Sequence, residues 1–310
     1  MRQTALDTVT ELARRDPRVV FIGSDLGVGT MDKFRAEMPD RFFMEGVAEQ
    51  NIVGMAAGLA MEGFIPFVNT IATFLTRRCF EQVAVDLCLH NLPVRLIANG
   101  GGVVYAPLGP THLAIEDMAI LRALPNMTVI APSDAQEMRR AVTATLDRPG
   151  PVYIRLGKGG DPVIARDDEN FAIGKAILKR APGQIGMIST GVLTERCLRA
   201  ADRLAAQGIE AGVLHCHTVK PLDIDAVRGF AQGLRLLVTV EEHVATGGLG
   251  SAVADCLLAA GGSLPPILRL ALPDAFPRHY GSQDDLLEIA GLQPGPIAER
   301  IAKTITDLRP

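Results

Sequence analysis

Short apolar runs alternate with longer amphipathic stretches along the whole chain. Residues 18–24, 65–69, 94–98, 128–131 and 152–155 are apolar runs that end in polar or Gly-containing segments. Runs apolar at nearly every position, rather than at alternate ones, predict strands buried on both faces, as in a parallel sheet covered by helices. Between them, residues 74–89, 112–124 and 134–146 carry helical patterning, the last announced by Pro132-Ser133-Asp134. The alternation pauses over 157–162 and 166–170, where Gly, Pro and charge accumulate and a domain boundary is expected. A second set follows, with strands at 184–189, 211–214 and 234–240 and helices at 193–207, 250–260 and 297–307. The expected fold class is α/β, with two doubly wound domains over 1–160 and 174–310 and a linker over 161–173.

Bulk properties narrow the function more than they define it. A chain of 310 residues with 48% hydrophobic and 21% charged positions reads as soluble and globular, with room for two cores. A net charge of -4 gives no reason to expect nucleic acid or an acidic membrane surface as partner. The longest weakly polar stretch, 51–68, is interrupted by Glu62, Gly63 and Pro66, which argues against a membrane span. The N-terminus shows no basic segment followed by an apolar leader, so a cytoplasmic location is expected. The five cysteines are scattered and form no C-x-x-C, which suggests neither a disulfide framework nor a zinc ribbon.

Candidate chemistry begins at Glu49, which opens a helix whose next residues, 52–60, carry no charge. Burial there would raise an acid's pKa, while the helix N-terminus would favour the anion. A carboxylate between those effects is suited to sharing a proton with a ligand nitrogen. On its own it reads better as an ordinary first-turn Glu that stabilises the helix dipole and does nothing else. Three other segments invite a site. Asn99-Gly100-Gly101-Gly102 could form an anion-binding nest, although a Gly-rich turn after a strand is commonplace. Gly247-Gly248-Leu249-Gly250 is a weak dinucleotide fingerprint, because Val253 stands at the third glycine position. His215-Cys216-His217 could place two imidazoles on one strand face, but no further ligand cluster accompanies them, and structural histidines are expected.

The order and spacing of several short motifs decide more than any one of them. Phe43-Met44-Glu45-Gly46-Val47-Ala48-Glu49-Gln50-Asn51 is followed by Phe74-Leu75-Thr76-Arg77-Arg78 and Gly109-Pro110-Thr111-His112. Arg122-Ala123-Leu124-Pro125-Asn126-Met127 comes next. From Phe21-Ile22-Gly23-Ser24-Asp25-Leu26 to the C-terminus, the chain resembles the part of thiamine diphosphate-dependent transketolases that follows the diphosphate-binding domain. The resemblance implies a pyrimidine-binding domain and then a transketolase C-terminal domain. It implies that Glu49 hydrogen-bonds N1′ of the aminopyrimidine, that Phe74 stacks on that ring, and that Ile71 forms a second wall. His112 would line the channel near the reacting carbon and assist substrate proton transfer, and Asp25 would sit in the cofactor site. Arg77, one turn after Phe74 and on its side, and Lys158 are candidate binders of a substrate anion. No metal ligands are expected in this chain. Gly54 and Gly58 would let the Glu49 helix pack closely against its neighbours.

The departures from the family pattern are equally specific. Leu108 stands where an acidic residue is expected, Gly100 where a His is expected, and Lys158 where an Arg is expected. Gly-Asp-Gly, which binds diphosphate and Mg²⁺ in the family, occurs nowhere in the sequence. The resemblance therefore implies a partner subunit that supplies that site, with assembly as an α2β2 heterotetramer. The expected activity is transfer of a two-carbon ketol unit from a ketose to an aldehyde, with a small sugar or sugar-phosphate-like substrate. A β subunit of a 2-oxo-acid dehydrogenase complex shares the two-domain layout; Gly-Pro-Thr-His and Ala-Leu-Pro-Asn-Met favour transketolase. A non-catalytic assembly partner would need neither Glu49 nor Phe74.

Overall fold

Among the described residues, six strands precede residue 160: β1 (Val19–Gly23), β2 (Phe42–Met44), β3 (Ile65–Ile71), β4 (Arg95–Asn99), β5 (Thr128–Ile130) and β6 (Val152–Arg155). Six follow: β7 (Ile177–Arg180), β8 (Ile185–Ser189), β9 (Ala211–His215), β10 (Thr218–Lys220), β11 (Leu236–Val244) and β12 (Ile267–Leu272). The structure is a computed structural model that describes residues 1–24, 29–157, 159–261 and 263–308. One sheet has the order β10-β5-β6-β4-β3-β1-β2 and the other β12-β11-β8-β9-β7. All pairings are parallel except β10 with β5 and β7 with β9, both at edges. Both sheets are the mostly parallel α/β kind expected. The continuous apolar runs explain why: β1, β4, β8 and β9 are buried at every position.

The strand β10 was not anticipated. It follows three strands of the second sheet in sequence but joins the first sheet, with Thr218 opposite Ile130. Other groups also tie the two sheets together. Val103 N–H donates to Glu242 Oε1 at 2.8 Å, and Arg155 Nη2 donates to the Glu242 carbonyl at 2.9 Å. Buried charges without such partners cost several kcal/mol, so these contacts fix one arrangement rather than add much net stability.

Two expected helices are shorter than their patterns. The 74–89 stretch divides into Ala72–Thr76, Phe80–Gln82 and a π-helical segment Val83–Leu89. The break falls at Arg77, Arg78 and Cys79, where each arginine turns toward a carboxylate on another segment. The 112–124 stretch becomes a helix only at Asp117–Arg122, because Ala114 is drawn into reciprocal backbone hydrogen bonds with Gly102 at 2.9 and 3.0 Å. The Glu49–Met61 helix is buried along Ile52, Val53, Ala56, Ala57 and Ala60; the two larger side chains each contribute about 1.5–3 kcal/mol of transfer free energy on burial and each alanine methyl about 0.8 kcal/mol. Its other face corrects the expectation of close packing. Asn51, Gly54, Gly58 and Met61 are exposed, and a Cβ at either glycine would meet nothing within 4 Å. Among the described residues no helix is long and apolar enough to cross a membrane. All five cysteines are free and buried.

Candidate functional site

In the first sheet the chain steps from β1 outward to β2 on one side and from β3 to β4 on the other. The reversal leaves a crevice beyond the carboxyl ends of β1 and β3, where open parallel sheets bind ligands. Ser24 directly follows β1, Ile71 ends β3, and Phe74 lies in the first turn after it. Glu49 enters from the segment after β2 as the first residue of its helix. The pattern of strands thus delivers four side chains to one place.

Within that crevice the side chains form a connected row. Ser24 Oγ donates to Glu49 Oε1 at 2.8 Å, and Arg78 Nη1 donates to Glu49 Oε2 at 2.6 Å. The Arg78 guanidinium carbon lies 4.0 Å from the centroid of the Phe74 ring, a cation–π contact. The Phe74 and His112 ring centroids lie 5.3 Å apart in a T-shaped arrangement, and Thr111 Oγ1 lies 2.9 Å from His112 Nδ1. The Glu49 side chain is 1% exposed and that of Arg78 is 42% exposed, so the carboxylate is the fixed member of the pair. Burial drives the Glu49 carboxyl upward. Hydrogen bonds from Arg78, from its own backbone N–H and from Ser24 outweigh burial, and the net direction is below the ordinary carboxylate value. In the chain as it stands, Glu49 is an anion.

Glu49, Phe74 and His112 are therefore brought together, with Ile71 half-buried at the strand end beside them. Arg77 is not. Its guanidinium pairs with both Glu116 oxygens, reaches the Pro110 carbonyl at 3.3 Å, and lies 5.5 Å from the Phe276 ring. The residue that faces Phe74 is Arg78, four positions on. Sequence reasoning missed both Arg78 and Ser24. The signal for Ser24 was its place right after the first strand; the signal for Arg78 was the i, i+4 spacing from Phe74. Asp25 and Lys158 lie outside the described residues. Leu108 is half-exposed, at the end of the short turn Ala106–Leu108.

The two glycine segments are filled by the protein itself. Gly100 and Gly102 have φ of 76° and 66°, and Cβ atoms there would come within 2.1 Å of the Tyr105 ring and 2.5 Å of the Glu242 carboxylate. Farther along, Glu241 accepts from Leu249 N at 2.6 Å and Gly250 N at 2.8 Å, so the helix N-terminus already holds a carboxylate. The paired histidines are buried structural groups. His215 Nε2 lies 2.8 Å from Glu137 and its Nδ1 2.7 Å from Thr194 Oγ1, while His217 stacks on Phe171 at 4.2 Å. Among the described residues no group of three or more His, Cys, Asp or Glu is arranged to hold a metal ion.

The chain has known relatives over nearly its whole length. Residues 1–160 match the transketolase pyrimidine binding domain, and residues 174–297 match the transketolase C-terminal domain. The chain is 39% identical over 311 residues to the 6-deoxy-6-sulfo-D-fructose transketolase subunit of Clostridium sp. (strain MSTE9), covering 99% of this chain and 94% of that protein. It is 40% identical over 296 residues to the 1-deoxy-D-xylulose-5-phosphate synthase of Synechococcus sp. (strain JA-2-3B'a(2-13)). That match covers 94% of this chain but spans only 45% of the synthase. Among solved structures, a split-gene transketolase described as an inactive β4 tetramer superposes with a TM-score of 0.90 at 35% identity, covering 99% of both chains. The transketolase of Campylobacter jejuni superposes with a TM-score of 0.82 at 17% identity over 97% of this chain and 46% of that one, a likeness of fold. The chain belongs to the transketolase family and carries that family's pyrimidine-binding and C-terminal domains.

Proposed function

We propose that this chain is the smaller subunit of a two-component transketolase, which moves a two-carbon ketol unit from a ketose to an aldehyde acceptor. The observation that carries the proposal is a buried, anionic Glu49 beside Phe74, in a chain that matches a transketolase subunit over nearly its whole length. Thiamine diphosphate, when bound, supplies a nucleophilic carbon at C2 of its thiazolium ring. The residues present fit its other ring. A carboxylate held in place at one oxygen by Ser24 and an aromatic face beside it are suited to a flat, protonatable heterocycle.

In this reading Glu49 holds a proton at N1′ of the pyrimidine, and Ser24 keeps the carboxylate aimed. Phe74 and Ile71 flank the ring and exclude water. His112, partly exposed at the edge of Phe74, donates to or accepts from substrate oxygens. Asp25 completes the cofactor site. Arg77 holds the Gly109–His112 turn through Pro110 and Glu116, and Lys158 is the remaining candidate for a substrate anion.

The diphosphate and Mg²⁺ are held by a partner subunit, and the assembly is an α2β2 heterotetramer working in the cytoplasm. The exposed, uncharged face of the Glu49–Met61 helix supports that partnership. Gly54, Gly58 and Met61 lie open on an element that carries a site residue. The proposed domain limits are 1–160 and 174–310, with 161–173 as the linker. A second reading, allowed by the shared two-domain layout, is release of carbon dioxide from a 2-oxo acid; the likeness to 1-deoxy-D-xylulose-5-phosphate synthase adds synthesis of a 1-deoxyketose phosphate.

The experiment is to reconstitute the chain with its diphosphate-binding subunit and supply thiamine diphosphate and Mg²⁺. The first donor to assay is a sulfonated ketose, the kind named for the clostridial relative. Ketol transfer to an aldehyde acceptor without carbon dioxide release is expected. Release of carbon dioxide from pyruvate with no ketol transfer from any ketose would overturn the proposal.

A further inference from the structure

We infer that Arg78 is a built-in stand-in for the aminopyrimidine, filling the slot between Glu49 and Phe74 until the cofactor's ring displaces it. The inference rests on the reading of Glu49 and Phe74 as the pyrimidine site, and adds to it how that site is kept before the cofactor arrives. A guanidinium is planar, cationic and edged with N–H donors, the same features a protonated aminopyrimidine presents. Arg78 uses both contacts at once. Its Nη1 lies 2.6 Å from Glu49 Oε2, and its plane's central carbon lies 4.0 Å from the Phe74 centroid. A second planar group cannot take that oxygen and that face while Arg78 holds them.

The neighbourhood separates Arg78 from an ordinary structural arginine. Its side chain is 42% exposed, whereas the Glu49 side chain is 1% exposed and cannot follow it out. It stands at the break between Ala72–Thr76 and Phe80–Gln82, beside Cys79 at φ -115°, so no continuous helix fixes its position. Arg77, by contrast, is bound by both oxygens of Glu116 and by the Pro110 carbonyl and is not free to exchange with it. The stand-in has a physical purpose. A buried carboxylate left unpaired is strongly unfavourable, and Arg78 satisfies Glu49 whenever the pyrimidine is away. The consequence is competition: a slot closed about nine-tenths of the time weakens apparent cofactor affinity about tenfold.

The test uses the complex of this chain with its diphosphate-binding subunit, titrated with thiamine diphosphate and Mg²⁺ by calorimetry and stopped flow. Arg78→Ala is expected to bind about tenfold tighter, with the gain in the association rate. The midpoint of the pH dependence of binding is expected to move upward, because Glu49 loses the cation that favours its anion. Arg78→Met keeps the aliphatic stem and gives the same readout if Arg78→Ala fails to assemble. Glu49→Gln and Phe74→Ala, run alongside, report on the site itself and are expected to weaken binding. If both weaken binding while Arg78→Ala and Arg78→Met leave it unchanged or weaker, the stand-in is overturned and the pyrimidine site survives. If neither Glu49→Gln nor Phe74→Ala changes affinity, the site reading falls, and the stand-in with it.

Discussion

Replacing Gly100 by His would restore the residue that the family pattern expects at this turn, and the structure predicts that the chain will resist it. Gly100 has φ of 76°, and a Cβ built there would lie 2.1 and 2.2 Å from two carbons of the Tyr105 ring. The left-handed backbone costs a non-glycine residue about 1 kcal/mol. Forcing the Tyr105 ring aside in a packed setting adds about 1–3 kcal/mol. Gly100→His should therefore destabilise the chain by about 3 kcal/mol, read as a lowered urea midpoint at unchanged slope. Adding Tyr105→Ala removes the clash but leaves the backbone cost. A double-mutant cycle should then show the pair less destabilising than the sum of the singles, by about 2 kcal/mol. Gly100→His within about 0.5 kcal/mol of wild type, or a cycle that closes additively, would refute the claim that Tyr105 occupies the missing histidine's place.

Two further outcomes follow from other parts of the structure. Burial holds the His217 imidazole neutral, with its pKa down to about 4. Glu137 opposes that shift, while His215 and Lys179 add to it. The folded chain then binds fewer protons than the unfolded chain between about pH 4 and 6.5, so stability falls as pH drops through that window. About 2 kcal/mol should be lost from pH 7 to pH 5, and His217→Gln should flatten the loss in urea unfolding; an equal loss in both proteins would contradict it. Leu108 is 50% exposed, so Leu108→Asp should change stability by less than about 0.5 kcal/mol while improving turnover of xylulose 5-phosphate with ribose 5-phosphate. Efficient wild-type turnover of that pair, unimproved by the substitution, would show that Leu108 does not set the substrate.

What was legible in the sequence was whatever local pattern encodes. Strands such as β1, β4 and β8, apolar at nearly every position, announced themselves because a sheet covered on both faces demands it. The strands that escaped are three-residue or edge elements. β2 and β10 have three residues each, β7 is an antiparallel edge, and β12 is only half-buried along most of its length. Glu49, Phe74 and His112 were legible through motif order. Arg78 was not, because whether position i+3 or i+4 faces Phe74 depends on where the helix unwinds. The glycine loops read as anion sites because their backbones are suited to that. The carboxylates that fill them, Glu241 and Glu242, come from β11, and Glu242 lies 139 residues from the Val103 N–H it accepts from. No local pattern carries such pairings.

The proposed action of Glu49 at the pyrimidine is open to one direct measurement. The exchange of the C2 proton of thiamine diphosphate with deuterium is followed by NMR in the reconstituted enzyme, with wild-type Glu49 and with Glu49→Gln. Gln keeps the size and a hydrogen bond but cannot share the proton, so folding should be nearly unchanged while exchange slows about 100-fold or more. Exchange as fast in the folded, cofactor-bound variant as in wild type would contradict the assignment of Glu49 and the function built on it.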